Sequence, residues 1–260
     1  MQIKRLNTKW IICAATLVST FTGASNSIAK EQAEIVVGGL KNPWSVVFLS
    51  KSSALITEKG GRLRLVENGK LSPEAIRGLP KIKVRGQGGL MGLALHPQFE
   101  HNKTLCLSYV GVDKDGSSTE VFCAELDDMQ LINGRTIFSA RPRSSRAKHF
   151  GGRLAFGQDG LLYVTLGDRG ERQTAQNNTM HNGSLVRIDL DGSVPKSNPY
   201  IDSSKVLPEI FSLAIEIFKA LPFIQNQAKS GPTNMARKGA RRSTLRAPGR
   251  TTVGRLSPTA

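Results

Sequence analysis

The feature that most constrains the fold is a plan of short strands that recurs about every 50 residues. An apolar strand, a polar turn, a second apolar strand and a further strand begin near Ser45, again near Gly92 and again near Arg153. Four-stranded units repeated at such an interval are typical of propeller blades, because each unit buries its faces against its neighbours. A β-sandwich is the alternative all-β fold, but it does not predict the recurrence.

The apolar runs that carry this plan predict strands at 45–49, 54–58, 62–66, 92–95, 104–110, 119–126, 153–156, 161–166 and 184–190. Turn residues such as Asn68-Gly69 and Asp191-Gly192 separate the runs, and no segment has a convincing helical period. Propellers have about 4–8 blades, whereas residues 30–213 have room for about three. The sequence therefore predicts an all-β, partial β-propeller domain over 30–213.

The N-terminus has the composition of an export signal. A basic start that includes Lys4 and Arg5 precedes an apolar run over 10–18, and small residues follow up to Ala29. The apolar run is too short to span a bilayer. We predict a signal peptide over 1–29, a periplasmic or secreted location, and no membrane span after its removal. A buried N-terminal helix is the alternative interpretation.

The net charge of +16 suggests a nucleic-acid partner until its distribution is considered. Residues 1–29 carry +3 and residues 214–260 carry +8, which leaves +5 for the segment between them. That segment has no basic stripe interleaved with aromatic residues, so we predict no nucleic-acid function.

Two cysteines, Cys106 and Cys123, remain after removal of the predicted signal. They flank the turn at 113–116 almost symmetrically, so a hairpin would place them opposite each other. A disulfide suits an exported protein, and two separate buried thiols are an equal alternative. The cysteines lack metal-ligand spacing, and we predict no metal site within this chain.

A histidine and a carboxylate flank the predicted hairpin of strands 153–156 and 161–166. His149 lies just before the first strand and Asp168 just after the second. Antiparallel pairing brings these ends together, which is the geometry of a general base held by an acid. Without further context, a lone histidine beside a glycine turn is more often structural.

Several motifs together resemble the soluble aldose sugar dehydrogenases that use pyrroloquinoline quinone (PQQ), in the glucose/sorbosone dehydrogenase family. The matching motifs lie at 42–45, 86–92, 96–99, 149–160, 166–170, 191–195 and 208–213. The resemblance implies a six-bladed propeller with quinone and sugar in a cleft at one end of the channel. It further implies oxidation of the C1 hydroxyl of an aldose to a lactone, with hydride transfer to PQQ and an external electron acceptor.

Four residues are candidates for the site. The resemblance matches His149 to the proton acceptor and Gln87 to a residue that contacts the quinone, and Asp168 would hold the imidazole ring and stabilise the imidazolium. Arg153 is a candidate partner for a quinone carboxylate, although it is equally a strand residue bonded to the backbone. An alternative interpretation of the loop around Gln87 is that it is simply a tight connection between strands. His96 and His101 are interpreted as structural.

The resemblance ends after Leu213. The family continues with H-R-N-x-Q-G. A set of DNA codons that encodes residues 214–220 also encodes H-R-N-I-Q-G when it is translated in a shifted reading frame. We therefore predict that 214–260 is an out-of-frame basic tail, largely disordered over 224–260. The Ca²⁺ ligands of the family would then not be encoded, and the chain would be an impaired or inactive dehydrogenase. The alternative is a non-enzymatic propeller fragment with at most residual sugar or scaffold binding.

Overall fold

Three four-stranded antiparallel sheets make up the part of the chain, residues 34–213, that a computed structural model describes. Each sheet is a meander in which strands adjacent in sequence are also adjacent in space. The first sheet contains β1 (Pro43–Phe48), β2 (Ser53–Glu58), β3 (Arg62–Glu67) and β4 (Lys70–Ile76). The second contains β5 (Leu90–Leu95), β6 (Thr104–Asp113), β7 (Gly116–Asp127) and β8 (Gln130–Ser139). The third contains β9 (Gly151–Phe156), β10 (Leu162–Leu166), β11 (Leu185–Ile188) and β12 (Ile210–Ser212).

These sheets pack face to face as successive blades, which confirms the predicted all-β, partial-propeller fold. β5 of the second blade packs against β1 and β2, and β9 of the third blade packs against β5, β6 and β7. Along β6, Leu105 and Leu107 belong to the core shared with the first blade, while Cys106 belongs to the core shared with the third. Alternate side chains point to opposite faces. A sheet covered on both faces therefore needs a nearly continuous apolar strand.

The two cysteines form a disulfide. Cys106 on β6 lies directly opposite Cys123 on β7, with a Cα–Cα distance of 4.1 Å, and their sulfur atoms are bonded. Of the two alternatives that the sequence left open, the structure therefore contains the disulfide. It lies in the buried core between the second and third blades.

The strands that the sequence analysis did not predict are β4, β8 and β12, the last strand of each blade. Each is an edge strand, and β4 and β8 expose much of their surface. They contain residues that weaken a strand pattern, such as Pro73 in β4 and Gly134 in β8. Two single-turn helices also appear, α1 (Phe99–Asn102) and a 3-10 helix (Arg172–Gln176).

One face of β1 is apolar and exposed. Trp44, Val46 and Phe48 alternate along this strand and are 41%, 51% and 72% exposed. They share the face of β1 opposite to Val47, which packs into the core between the first and second blades.

The predicted signal peptide (1–29) and out-of-frame tail (214–260) lie outside the described residues. Within 34–213, no helix is long and apolar enough to cross a membrane.

Candidate active site

The open end of the β9–β10 hairpin carries the predicted acid–base pair. His149 lies two residues before β9 and Asp168 two residues after β10. Backbone pairing continues beyond the strands, because the Gly167 N–H donates to the Phe150 carbonyl at 3.2 Å. This pairing brings His149 Nδ1 to 2.8 Å from Asp168 Oδ1, as the hairpin geometry predicts.

The backbone of His149 is held in an uncommon conformation. Its φ of +51° lies in the left-handed region, which few residues other than glycine adopt. The His149 N–H donates to Gln87 Oε1 at 2.8 Å, and the Gln87 N–H donates to the Ala147 carbonyl at 2.9 Å. The glycine-rich loop around Gln87 is therefore fastened to the segment that presents the imidazole. The structure joins three of the four predicted site residues, Gln87, His149 and Asp168, in one hydrogen-bonded chain.

The charge of Asp168 fixes the roles of the two imidazole nitrogens. Burial acts to raise the pKa of Asp168, but hydrogen bonds from the Gly170 amide (2.7 Å) and His149, with the nearby charge of Arg172, outweigh it. The net pKa of Asp168 is lowered, so its side chain is a carboxylate at neutral pH and accepts the Nδ1 hydrogen of His149. Nε2 is then the nitrogen able to accept a proton, on a side chain that is 49% exposed.

Arg153, the fourth predicted site residue, stands apart from this chain of contacts. It lies on β9 with its side chain exposed to solvent. Its backbone N–H donates to the Thr165 hydroxyl at 3.1 Å. The structure does not bring Arg153 into the hydrogen-bonded group, and its contact with a quinone stays a prediction.

Arg169, which immediately follows Asp168, was not among the predicted site residues. Its side chain is buried, with 3% of the residue exposed, and it donates to backbone carbonyls of Ser117 and Lys148. A charged residue in a glycine-flanked turn normally predicts exposure to solvent. Its position beside Asp168, within the family motif at 166–170, was the signal that the sequence offered.

Two other histidines form hydrogen bonds within the fold. His96 Nδ1 accepts a hydrogen bond from the Gln98 amide and contacts the Asn102 side chain at 2.8 Å. His181, for which no role was predicted, is 1% exposed and accepts a hydrogen bond from the Arg141 amide at 3.1 Å. Within 34–213, no group of three or more His, Cys, Asp or Glu residues is placed to hold a metal ion.

Residues 40–216 match the family model described as Glucose / Sorbosone dehydrogenase. The chain belongs to the glucose/sorbosone dehydrogenase family. Its family relatives include the aldose sugar dehydrogenase YliI of Escherichia coli, 37% identical over 186 residues, a match that covers 70% of this chain and 50% of the relative. Another is quinoprotein glucose dehydrogenase B of Acinetobacter calcoaceticus, 27% identical over 240 residues, covering 77% of this chain and 48% of the relative.

Solved structures of the family have the same blade arrangement. The apo-form of the soluble aldose sugar dehydrogenase from Escherichia coli superposes with a TM-score of 0.65 and is 38% identical. The superposition covers 68% of this chain and 52% of that structure. This member of the glucose/sorbosone dehydrogenase family thus spans about half the length of the curated relatives that it matches.

Proposed function

We propose that this chain carries the proton-accepting side of a PQQ-dependent site that oxidises the C1 hydroxyl of an aldose to a lactone. The observation that carries the proposal is the 2.8 Å contact between His149 Nδ1 and Asp168, which leaves Nε2 on a half-exposed ring. The relatives named as an aldose sugar dehydrogenase and a quinoprotein glucose dehydrogenase support the substrate class and the quinone.

In this mechanism, Nε2 of His149 accepts the proton of the C1 hydroxyl as the C1 hydride leaves. Asp168 keeps the imidazole in the correct tautomer and stabilises the imidazolium that forms. The lowered pKa of Asp168 suits this role, because the carboxylate remains ionised throughout. When bound, PQQ supplies the hydride acceptor. The external electron acceptor stays a prediction.

The residues present fit one side of such a cofactor. Because the Gln87 side-chain oxygen already accepts the His149 N–H, its exposed amide nitrogen is the group left to donate to a ligand oxygen. Arg153 is exposed on the neighbouring strand and would supply a cation for a carboxylate. The assay below includes Ca²⁺ because the resemblance implies Ca²⁺ ligands, which are predicted to lie in family segments after residue 213.

Export to the periplasm or to the outside of the cell is part of the proposal. The Cys106–Cys123 disulfide supports it, because such bonds form and persist in oxidising compartments. The N-terminal segment over 1–29 has the composition of a signal peptide.

The proposal is tested with two forms of the protein, the present chain and one made from a gene with a single base restored ahead of the Ala214 codon. Both are assayed for dye reduction with aldose, PQQ and Ca²⁺. We expect turnover from the restored protein and little or none from the present chain. Turnover from neither form would refute the dehydrogenase proposal and favour the non-enzymatic fragment.

A substitution then isolates the base. His149→Asn keeps a residue type that tolerates the left-handed backbone but lacks a proton acceptor near neutral pH. It should abolish turnover of the restored protein, whereas the matched control His101→Asn, an exposed residue of α1, should leave turnover unchanged. Undiminished turnover in His149→Asn would exclude His149 as the base.

A further inference from the structure

Arg169 is a buried cation whose hydrogen bonds go to neutral acceptors. Its guanidinium donates to the Ser117 carbonyl at 2.8 Å, to the Ser117 hydroxyl at 3.3 Å and to the Lys148 carbonyl at 3.2 Å, and it also contacts the Arg146 carbonyl. Two of these carbonyls belong to the segment that leads directly to His149. The third belongs to β7 of the second blade, so the side chain ties that segment to the neighbouring sheet.

The same residue contacts the proposed base on its other side. The Arg169 guanidinium carbon lies 3.8 Å from the centroid of the Phe150 ring, and the Arg169 N–H donates to the His149 carbonyl at 3.2 Å. Arg169 therefore touches the residue before His149, His149 itself and the residue after it. It is also covalently bonded to Asp168, the partner of the imidazole.

Burying a guanidinium costs desolvation free energy, which its hydrogen bonds must offset. Burial lowers the pKa of Arg169 to about 10, against a smaller opposing effect of the Glu171 charge. Glu171 forms its ion pair with Arg146, at 2.9 Å. A buried charge is weak grounds for stability by itself. A planar fork of several N–H donors, however, can bond several carbonyls and stack on a ring at once, which a lysine cannot do.

We propose that Arg169 is the positioning residue of the acid–base pair: its planar side chain holds the backbone before His149 and the ring of Phe150 after it, so that Nδ1 meets Asp168. The inference rests on the proposed function, because it assigns a purpose to Arg169 through the pair that would do the chemistry. The proposed role of Arg169 involves no contact with substrate.

The test measures the pair itself in the full 260-residue chain and needs neither cofactor nor turnover. Carbon-detected NMR follows titration of the Asp168 carboxyl, and long-range nitrogen spectra report which His149 nitrogen carries the hydrogen. Arg169→Lys keeps the positive charge but removes the planar fork. We expect the Asp168 titration midpoint to shift upward towards the ordinary value for aspartate, and the preference for hydrogen on Nδ1 to be lost. Because the charge is kept, simple loss of a cation does not produce this shift.

Two controls accompany the variant. Arg187→Lys alters another buried arginine that stacks on an aromatic ring, 4.8 Å from the Phe211 centroid, but its partners include Asn198 and not the His149 segment. It should leave the Asp168 midpoint unchanged. Asp191 is an internal reference, because its pKa is lowered by its own contacts with Ser193 and should not respond.

An unchanged Asp168 midpoint and unchanged His149 tautomer in Arg169→Lys would overturn the inference. If that variant does not fold, Phe150→Leu removes the stacking ring instead; an upward shift at Asp168 with Asp191 unaltered supports the inference, and no shift overturns it. His149→Asn separates this result from the proposed function. Failure of His149→Asn to raise the Asp168 midpoint would refute the pair itself, whereas a rise there without one in the arginine variant would refute only the positioning role.

Discussion

Reduction of the Cys106–Cys123 disulfide should destabilise the chain by about 3 kcal/mol. The bond closes a loop with a sequence separation of 17 residues. The chain-entropy relation for a loop of that length gives about 10 cal/mol/K, which is about 3 kcal/mol at 25 °C. For a folded unit of this size, the same loss corresponds to a fall in Tm of about 6–12 °C.

The assay is urea unfolding at pH 7, followed by circular dichroism, with and without a phosphine reductant. The double variant Cys106→Ala/Cys123→Ala is the control, because it has no bond to reduce and its unfolding curve should not respond to the reductant. Both sulfur atoms lie in the core between the second and third blades, with the residues 0% and 6% exposed, so this variant should also lose packing energy. A difference below about 1 kcal/mol between the oxidised and reduced chains would refute the loop-entropy reasoning.

Three further predictions address the site and the core. Because the folded pKa of Asp168 is lowered, its contribution to stability is present above the unfolded pKa and is lost as pH falls through the folded pKa. Urea titrations of Asp168→Asn should therefore show a deficit at pH 7 that disappears in strong acid, and a pH-independent deficit would contradict this. Gly167→Ala should lower the free energy of unfolding by about 1–3 kcal/mol, since a Cβ there overlaps the His149 backbone carbonyl; Gly38→Ala, with open space around it, is the control. Leu162→Ala, fully buried between blades, should lower it by about 2–5 kcal/mol, compared with little effect for the exposed Phe48→Ala in the same thermal or urea assay.

The sequence predicted the central strands of each blade because those strands are largely buried on both faces. Their apolar runs leave few other interpretations, as in β6, whose alternate residues serve two different cores. The last strands β4 and β8 were missed because solvent relaxes the demand for apolar side chains along them, and β12 is only three residues long. β4 even contains Pro73, which lies where the register of the β3–β4 pairing shifts, a position that tolerates a missing N–H.

The site residues likewise differ in how far the sequence could place them. His149 and Asp168 could be paired from sequence because a hairpin converts distance along the chain into a known geometry across it. The link from Gln87 to the His149 amide joins residues 62 apart in sequence, and only the resemblance to the family placed them together. Arg169 lies in the family motif at 166–170, but neither the hairpin geometry nor the resemblance assigned it a role. Its burial depends on carbonyls that come together only when the second and third blades pack.

Trp44, on the exposed apolar face of β1, can serve as an intrinsic fluorescent probe. The sequence has two tryptophans, and Trp10 lies in the segment predicted to be removed on export. Emission from the processed chain would then arise from Trp44 alone, at a residue 41% exposed on the open face of the first blade. The wavelength of that emission measures, without any label, how much water reaches the strand.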